Sequence, residues 1–431
     1  MNFENEERIR CYIESLFMMI RTKVVQMGAS LSQTRIMWFY PISMSPIKQG
    51  LFQNLWKKAY QKYFNSKGEP MCITESVAPY SFFQKTRADV SNIVTIDIGG
   101  GTTDIVVADS HGVKCITSMR FAADAIFGNT LVAVQNGKLN GIIRQFKDEF
   151  ISNLEGTDFS DLKKMLLDMT SGNMGNSSEV ASFLFSLANN DIIMKAGLSD
   201  RVNFNTVLMR DDKQKVVFFI FYTAIIYHLA KLMKLSGLEV PSNIAFSGNG
   251  SKVVSVLSPN TGSLERLTTA IFKLIYNDID VVKDIKLILN SVNPKEATCK
   301  GGLFLEHEPD NVNEVKTILL ADRLINDETY RNVSSLYDTV IEEVQQFADF
   351  LVLKLAKERT ISLSGDFGID PSFMTMVIDS FNGDLRTFIE KGVESKLNSH
   401  DVGLEDKIEE TLFFYPIIGV MNELSDKICN M

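Results

Sequence analysis

The sequence predicts an α/β fold, and three observations in its 431 residues carry that expectation. β-branched runs alternate with helix-period segments along residues 1–303. A glycine turn at Gly99, Gly100 and Gly101 joins two such runs, Ile93-Val94-Thr95-Ile96 and Ile105-Val106-Val107. A second glycine turn, Gly248 to Gly250, follows the short run 243–246 and leads into a helical segment. Strands that feed helices through short loops bury a sheet between helices and offer ligands the carboxyl ends of the strands.

Each element has its own signal. Residues 6–27 show helical periodicity, 35–40 read as a buried strand closed by Pro41, and 47–64 read as a helix with a basic face, followed by a turn at 65–69. A short strand over 71–74 leads into a helix over 77–86. The hairpin at 93–107 follows, with a third strand over 113–119. Helices dominate from 123 to 190, interrupted at 170–178 by a stretch whose Gly, Asn and Ser content suits an exposed connection. Residues 216–235 read as a buried helix, ahead of Pro241 and the strand 243–246. From 304 onward the pattern is acidic and helical, with apolar residues at helical spacing through 315–324, 337–356 and 373–397 and a turn-rich break at 362–370.

Composition narrows the function classes. A chain with 45% hydrophobic and 23% charged residues can bury a core of two or three domains. A net charge of -9 gives no basic footprint for nucleic acid and no attraction to an anionic membrane surface. Cys11, Cys72, Cys115, Cys299 and Cys429 are scattered and odd in number, which argues for reduced thiols in a cytoplasmic protein rather than a disulfide framework or a zinc site. The four histidines, His111, His228, His307 and His400, are isolated from one another in sequence. No secretory signal pattern is present. The longest apolar run, 216–230, falls short of the roughly 20 residues a membrane span needs, so it reads as a core helix.

The richest local chemistry lies at 97–104. Asp97-Ile98-Gly99-Gly100-Gly101-Thr102-Thr103-Asp104 combines a strand end, a turn that glycines make freely and two carboxylates. Such a hairpin can aim backbone N–H groups at an anion, and its carboxylates can hold magnesium through the ion's waters. The turn Ser247-Gly248-Asn249-Gly250-Ser251-Lys252 offers close backbone approach and the start of a helix, which suits an anion or a polar ring edge.

Taken together these segments resemble the actin, heat-shock-chaperone and sugar-kinase ATPase superfamily, most closely its heat-shock-chaperone and bacterial actin-like branches. Residues 97–104 resemble its second phosphate hairpin and residues 247–253 its adenosine motif. Ile73-Thr74-Glu75-Ser76-Val77-Ala78 is similar to the first connecting helix, residues 120–129, ending in Ile126-Phe127-Gly128-Asn129, to the segment entering a nucleotide-side helix, and residues 297–302 to the closing helix. The five occur in the family's order and span roughly residues 5–303.

The resemblance implies an actin-like ATPase (ribonuclease H-like) fold binding ATP or ADP with Mg2+. Gly99, Gly100, Gly101, Thr102 and Thr103 would surround the phosphates, with Gly128 on the nucleotide side. Asp97 and Asp104 would face hydrated magnesium, Asp104 and Glu75 would serve the attacking water, and Gly248, Asn249, Gly250, Ser251 and Lys252 would hold the adenosine. Glu75 reads equally as the cap of the helix that follows it. Lys252 stands where the family carries an arginine and stacks less well on a base.

The family's first phosphate hairpin has no counterpart before Glu75. Residues 1–86 then read as the remainder of a first lobe and a connecting helix, expected of either the C-terminal piece of a longer protein or a divergent member. Residues 87–303 read as a second lobe with a mostly helical insertion over 131–215, and 304–431 as a helical C-terminal region. The expected function is a nucleotide-controlled conformational switch, with hydrolysis if the first hairpin is supplied. The alternatives are a catalytically inactive scaffold or a small-molecule kinase of the same superfamily. A protein partner is expected at the helical C-terminal region, where residues 411–421 are apolar enough to dock, although packing onto their own domain is the favoured reading of that stretch. The sequence specifies no oligomeric state.

Overall fold

In the computed structural model, Ile9, Ile13 and Phe17 recur every fourth position on α1 (Glu6–Gln26). They therefore share one face, which is buried with Leu55, Ala59, Tyr60 and Phe64. α1 stops at Gly28, whose φ of 70° lets its N–H donate to Val25 O at 2.9 Å and the Ala29 N–H to Val24 O at 3.1 Å. These are the paired bonds of a glycine C-cap.

The structure describes residues 6–42, 44, 46–87, 92–128, 139–171, 176–277, 283–289, 295–305, 315–325, 327–398 and 402–431. They divide into two units, residues 1–89 with 296–315 and residues 90–295 with 316–431. Asn129 and residues 172–175 of the expected loop at 170–178 lie outside the described residues.

In the first unit, β1 (Met37–Tyr40) pairs in parallel with β2 (Met71–Thr74). The Trp38 indole stacks on Trp56 of α2 (Pro46–Tyr63), centroids 5.4 Å apart and 4° from parallel. β2 leads into α3 (Val77–Thr86). The helix Glu296–Gly302 crosses α3 so closely that a Cβ on Gly301 would lie 1.8 Å from the Ala78 carbonyl oxygen. Only glycine fits at this crossing.

The second unit is built on a five-stranded mixed sheet in the order β5-β4-β3-β6-β7. β3 (Ile93–Ile98), β4 (Thr103–Asp109) and β5 (Gly112–Met119) form an antiparallel meander, and β6 (Asn243–Ser247) and β7 (Lys286–Leu289) continue parallel to β3. Between β5 and β6 run α4 (Ala123–Phe127), α5 (Gly141–Asn153), α6 (Ser160–Thr170), α7 (Ser177–Leu187), α8 (Asp191–Lys195), α9 (Phe204–Arg210) and α10 (Lys215–Leu235). After β6 come α11 (Lys252–Leu257) and α12 (Thr261–Tyr276). α10 is the one helix among the described residues long and apolar enough to cross a membrane, and 94% of its apolar window is buried. Its Tyr222 hydroxyl is satisfied by Thr268 Oγ1 at 2.6 Å.

Two expectations about the tail change. The segment 304–431 is not a separate appendage, because Val344, Phe347, Phe413, Phe414 and Ile417 belong to the same core as β3 and α10. Phe121 lies between Phe221 and Phe414, with centroids 4.9 and 4.4 Å away. The apolar stretch 411–421 thus packs onto its own domain. Residues 315–324, expected helical, instead hold a hairpin of β8 (Ile318–Leu320) and β9 (Arg323–Ile325). Ala321 and Asp322 turn it with φ of 52° and 57°, a left-handed pair whose mirror-type twist suits a two-residue hairpin. Lys231 of α10 pairs with Asp322 and holds the turn.

Candidate functional site

The glycine turn closes through the Gly99 N–H, which donates to Thr102 O at 2.9 Å. The carbonyls of Gly99 and Gly100 accept from Ala123 N at 3.4 Å and Asp124 N at 2.8 Å, at the start of α4. With those carbonyls engaged, the N–H groups of Gly100 and Gly101 donate to no backbone acceptor among the described residues. Both residues are exposed.

The conformation itself does not demand glycine. None of Gly99, Gly100 and Gly101 is among the positive-φ residues, contrary to the expectation of a turn that glycine alone makes freely. A Cβ on Gly100 would meet nothing within 4 Å, and one on Gly101 only Asp124 Oδ2 at 3.9 Å. Among the described residues, packing leaves these two side-chain volumes empty.

Flanking the turn, Asp97 and Asp104 are directly paired across β3 and β4, Asp97 pairs with Ser247 of β6, and Asp104 with Ser118 of β5. Partners opposite one another project from the same face, so two carboxylates and two hydroxyls form one polar row beside the turn. Asp104 is buried, at 5% exposure, and Asp97 half-buried. Ser247 is fully buried, and its hydroxyl has no hydrogen-bond partner among the described residues. Among those residues no group of three or more His, Cys, Asp or Glu is arranged to hold a metal.

The second glycine turn abuts the first. Gly248 adopts φ 78°, and a Cβ there would sit 2.2 Å from Asp97 Oδ1 and 2.3 Å from Ile98 O. A Cβ on Gly250 would sit 2.3 Å from Gly99 O. These glycines serve close packing onto the hairpin, and their expected role of admitting a ligand is not needed to explain them. Ser251 turns its hydroxyl back to Gly248 O at 2.7 Å, inside a 3-10 turn that ends where Lys252 starts α11. Asn249 is exposed and Lys252 half-buried.

Other expected residues are explained by their neighbours. The Thr103 hydroxyl donates to Phe121 O at 2.6 Å and is fully buried, which turns it inward. Thr102 is half-buried. Gly128 is buried, and a Cβ would lie 2.5 Å from Asp124 O and 2.7 Å from Ser178 Oγ, so packing accounts for it. Glu75 belongs to the first unit, half-buried, where its N–H extends the β1–β2 ladder to Tyr40 O at 3.0 Å.

Asp124 escaped the sequence reading as a site residue. Burial pushes its carboxyl above the usual range, against a hydrogen bond from Ser178. Its position just after Phe121-Ala122 gave no chemical signal beyond the segment 120–129. Ser247 escaped for a similar reason, because its alignment with Asp97 is a property of strand register. Three cavities of about 450, 520 and 480 Å³ lie elsewhere, the first beside Glu6 and Lys62, the second beside Arg266 and Asp284, the third beside Val352 and Phe381. Comparison with family models and with curated proteins finds no match for the chain.

Proposed function

We propose that the second unit binds ATP or ADP with Mg2+ at the turn Gly99–Gly101, and that the chain is a nucleotide-controlled conformational switch of the actin-like ATPase type. The observation that carries this reading is the empty space at Gly100 and Gly101. Glycine is present where neither backbone conformation nor internal packing requires it, and the N–H groups there have no backbone acceptor among the described residues. Phosphoryl groups need such donors and charge neutralisation more than covalent chemistry. Asp97 and Asp104 would hold the magnesium through its waters, and the metal would neutralise phosphate charge.

One group of observations favours a second reading, a scaffold that retains the fold without turnover. Gly128, Gly248, Gly250, Ser251 and the Thr103 hydroxyl are all occupied by contacts within the chain. Glu75 as a water-orienting residue, hydrolysis, and a small-molecule kinase activity belong to the first reading only if phosphate release is observed.

Thermal melting with and without magnesium ATP separates these outcomes. Ligand at 100 times its dissociation constant adds about 2.7 kcal/mol, which raises the melting temperature by several degrees. No shift at millimolar nucleotide would sink the binding. A shift without phosphate release assigns the scaffold or switch role over the enzyme.

A further inference from the structure

We propose that α4 is a strut tying the turn Gly99–Gly101 to the C-terminal helix Phe414–Cys429, so that the contact between Asn140 and Asn422 sets the affinity of the turn for nucleotide. The inference rests on the nucleotide reading and adds to it a regulatory element at the far end of the chain.

α4 has only five residues, too few to hold itself together, and groups at both its ends are engaged by other segments. At its start, the N–H groups of Ala123 and Asp124 donate to the carbonyls of Gly99 and Gly100. At its end, Asn140 Nδ2 donates to Ile126 O at 3.0 Å and to Gly128 O at 3.4 Å. Carbonyls at a helix end have no partner within the helix, so this amide completes α4 from outside. The same Nδ2 donates to Asn422 Oδ1 at 2.9 Å. A continuous line of hydrogen bonds therefore runs from the glycine turn, along α4, to the C-terminal helix.

Asn140 is held from several directions, which lets it transmit a position. It is buried, its Oδ1 accepts from the Ile142 N–H at 2.9 Å as the cap of α5, and its own N–H donates to Ser177 Oγ at 2.9 Å. The next residue, Ser178, bonds the Asp124 carboxyl, so the start of α7 braces α4 from the side. The C-terminal helix is seated firmly on α5, because a Cβ on Gly141 would collide with the Ser425 carbonyl and Arg144 pairs with Asp426 at 2.7 Å.

Held at both ends, α4 keeps the turn in one geometry before any ligand arrives. A site ordered in advance binds more tightly than one that must be ordered on binding. Linkage makes the effect reciprocal, so bound nucleotide strengthens the hold on the C-terminal helix by the same factor.

Calorimetric titration with magnesium ATP tests this on the full chain and three variants. Asn422→Ala raises the dissociation constant about fivefold or more. Asn422→Asp, which keeps an acceptor for Asn140, stays within about twofold of wild type. So does Lys427→Ala, which loosens the same helix where it bonds Ser380 Oγ at 3.0 Å. Should Asn422→Ala not fold, Asn422→Ser takes its place with the same expectation. Unchanged affinity in the Asn422 variant overturns the strut, as does an equal loss in Lys427→Ala, which would mean general loosening. If wild type takes up no magnesium ATP, the nucleotide reading fails and the strut falls with it, whereas wild-type binding with unchanged variants overturns the strut alone.

Discussion

Asp97 and Asp104 face each other as direct partners across β3 and β4. Like charges so placed repel, and in the proposed site a hydrated divalent cation would lie between them and the phosphate. If the proposed site holds, Asp97→Asn removes the magnesium dependence of nucleotide stabilisation. Melting curves of both proteins with ATP, with and without magnesium, check this. A variant that keeps the full magnesium effect would refute the metal role.

The two glycine turns make opposite predictions. Gly100→Ala leaves the free chain within about 1 kcal/mol of wild type, because its Cβ enters open space, yet it weakens nucleotide binding. Gly250→Ala costs about 1–3 kcal/mol, because its Cβ would collide with Gly99 O. Denaturant titration and nucleotide melting shifts on both variants distinguish them. Unimpaired binding by Gly100→Ala would remove the main support for the phosphate site.

Two buried groups on neighbouring elements oppose each other in acid. Burial pushes the Glu343 carboxyl from 4.5 up to about 7, although Lys231 Nζ stands 3.6 Å from Oε1 and pulls the other way. Its stabilising effect is complete below pH 4.5 and is lost as pH rises through 7. Burial, with some help from Lys231, pushes the His228 imidazole from 6.5 down to about 3. Its contribution is present above pH 6.5 and is lost as pH falls toward 3. Each contributes a slope of about 1.4 kcal/mol per pH unit, of opposite sign, so between pH 4.5 and 6.5 they cancel. Glu343→Gln should expose the histidine slope, with stability rising with pH across that window, and His228→Phe the reverse. Urea midpoints measured at half-unit pH steps check the signs, and unchanged slopes in both variants would show that neither group titrates as described.

Phe414 tests whether the tail belongs to the core. Its ring stacks on Phe121 at 4.4 Å and is 1% exposed. Phe414→Ala should cost about 3–5 kcal/mol of the second unit's stability, read by calorimetry. A detachable appendage would leave the main transition in place.

Much of this fold was legible because its signals are local. The helix Val77–Thr86 and the strand pair around Gly99–Gly101 follow from periodicity and glycine placement alone. The hairpin at Ile318–Ile325 was not legible. Its apolar spacing fits a helix, its turn contains no glycine, asparagine or proline at the two central positions, and the lysine that holds Asp322 lies at position 231. The site shows the same limit from another side. A glycine in the sequence says that a Cβ is missing but not what occupies the space. At Gly250 the occupant is the carbonyl of Gly99, whereas at Gly100 no described residue takes its place.

The way the chain returns to each unit has a consequence for its synthesis. Asn140 donates to Asn422 at 2.9 Å, a contact spanning 282 positions, and the segment 296–315 completes the unit that begins at the N-terminus. The ribosome delivers residues in order at about 5–20 per second, so the first unit must wait on the order of ten seconds or more for its closing helix. The second must wait for nearly the last residue. Throughout that interval Tyr227 and His228 of α10 lack Phe347, Phe350, Phe413 and Phe414, the rings they pack against in the finished unit, so the yield of this protein in the cell should depend on a holding chaperone more than on its final stability.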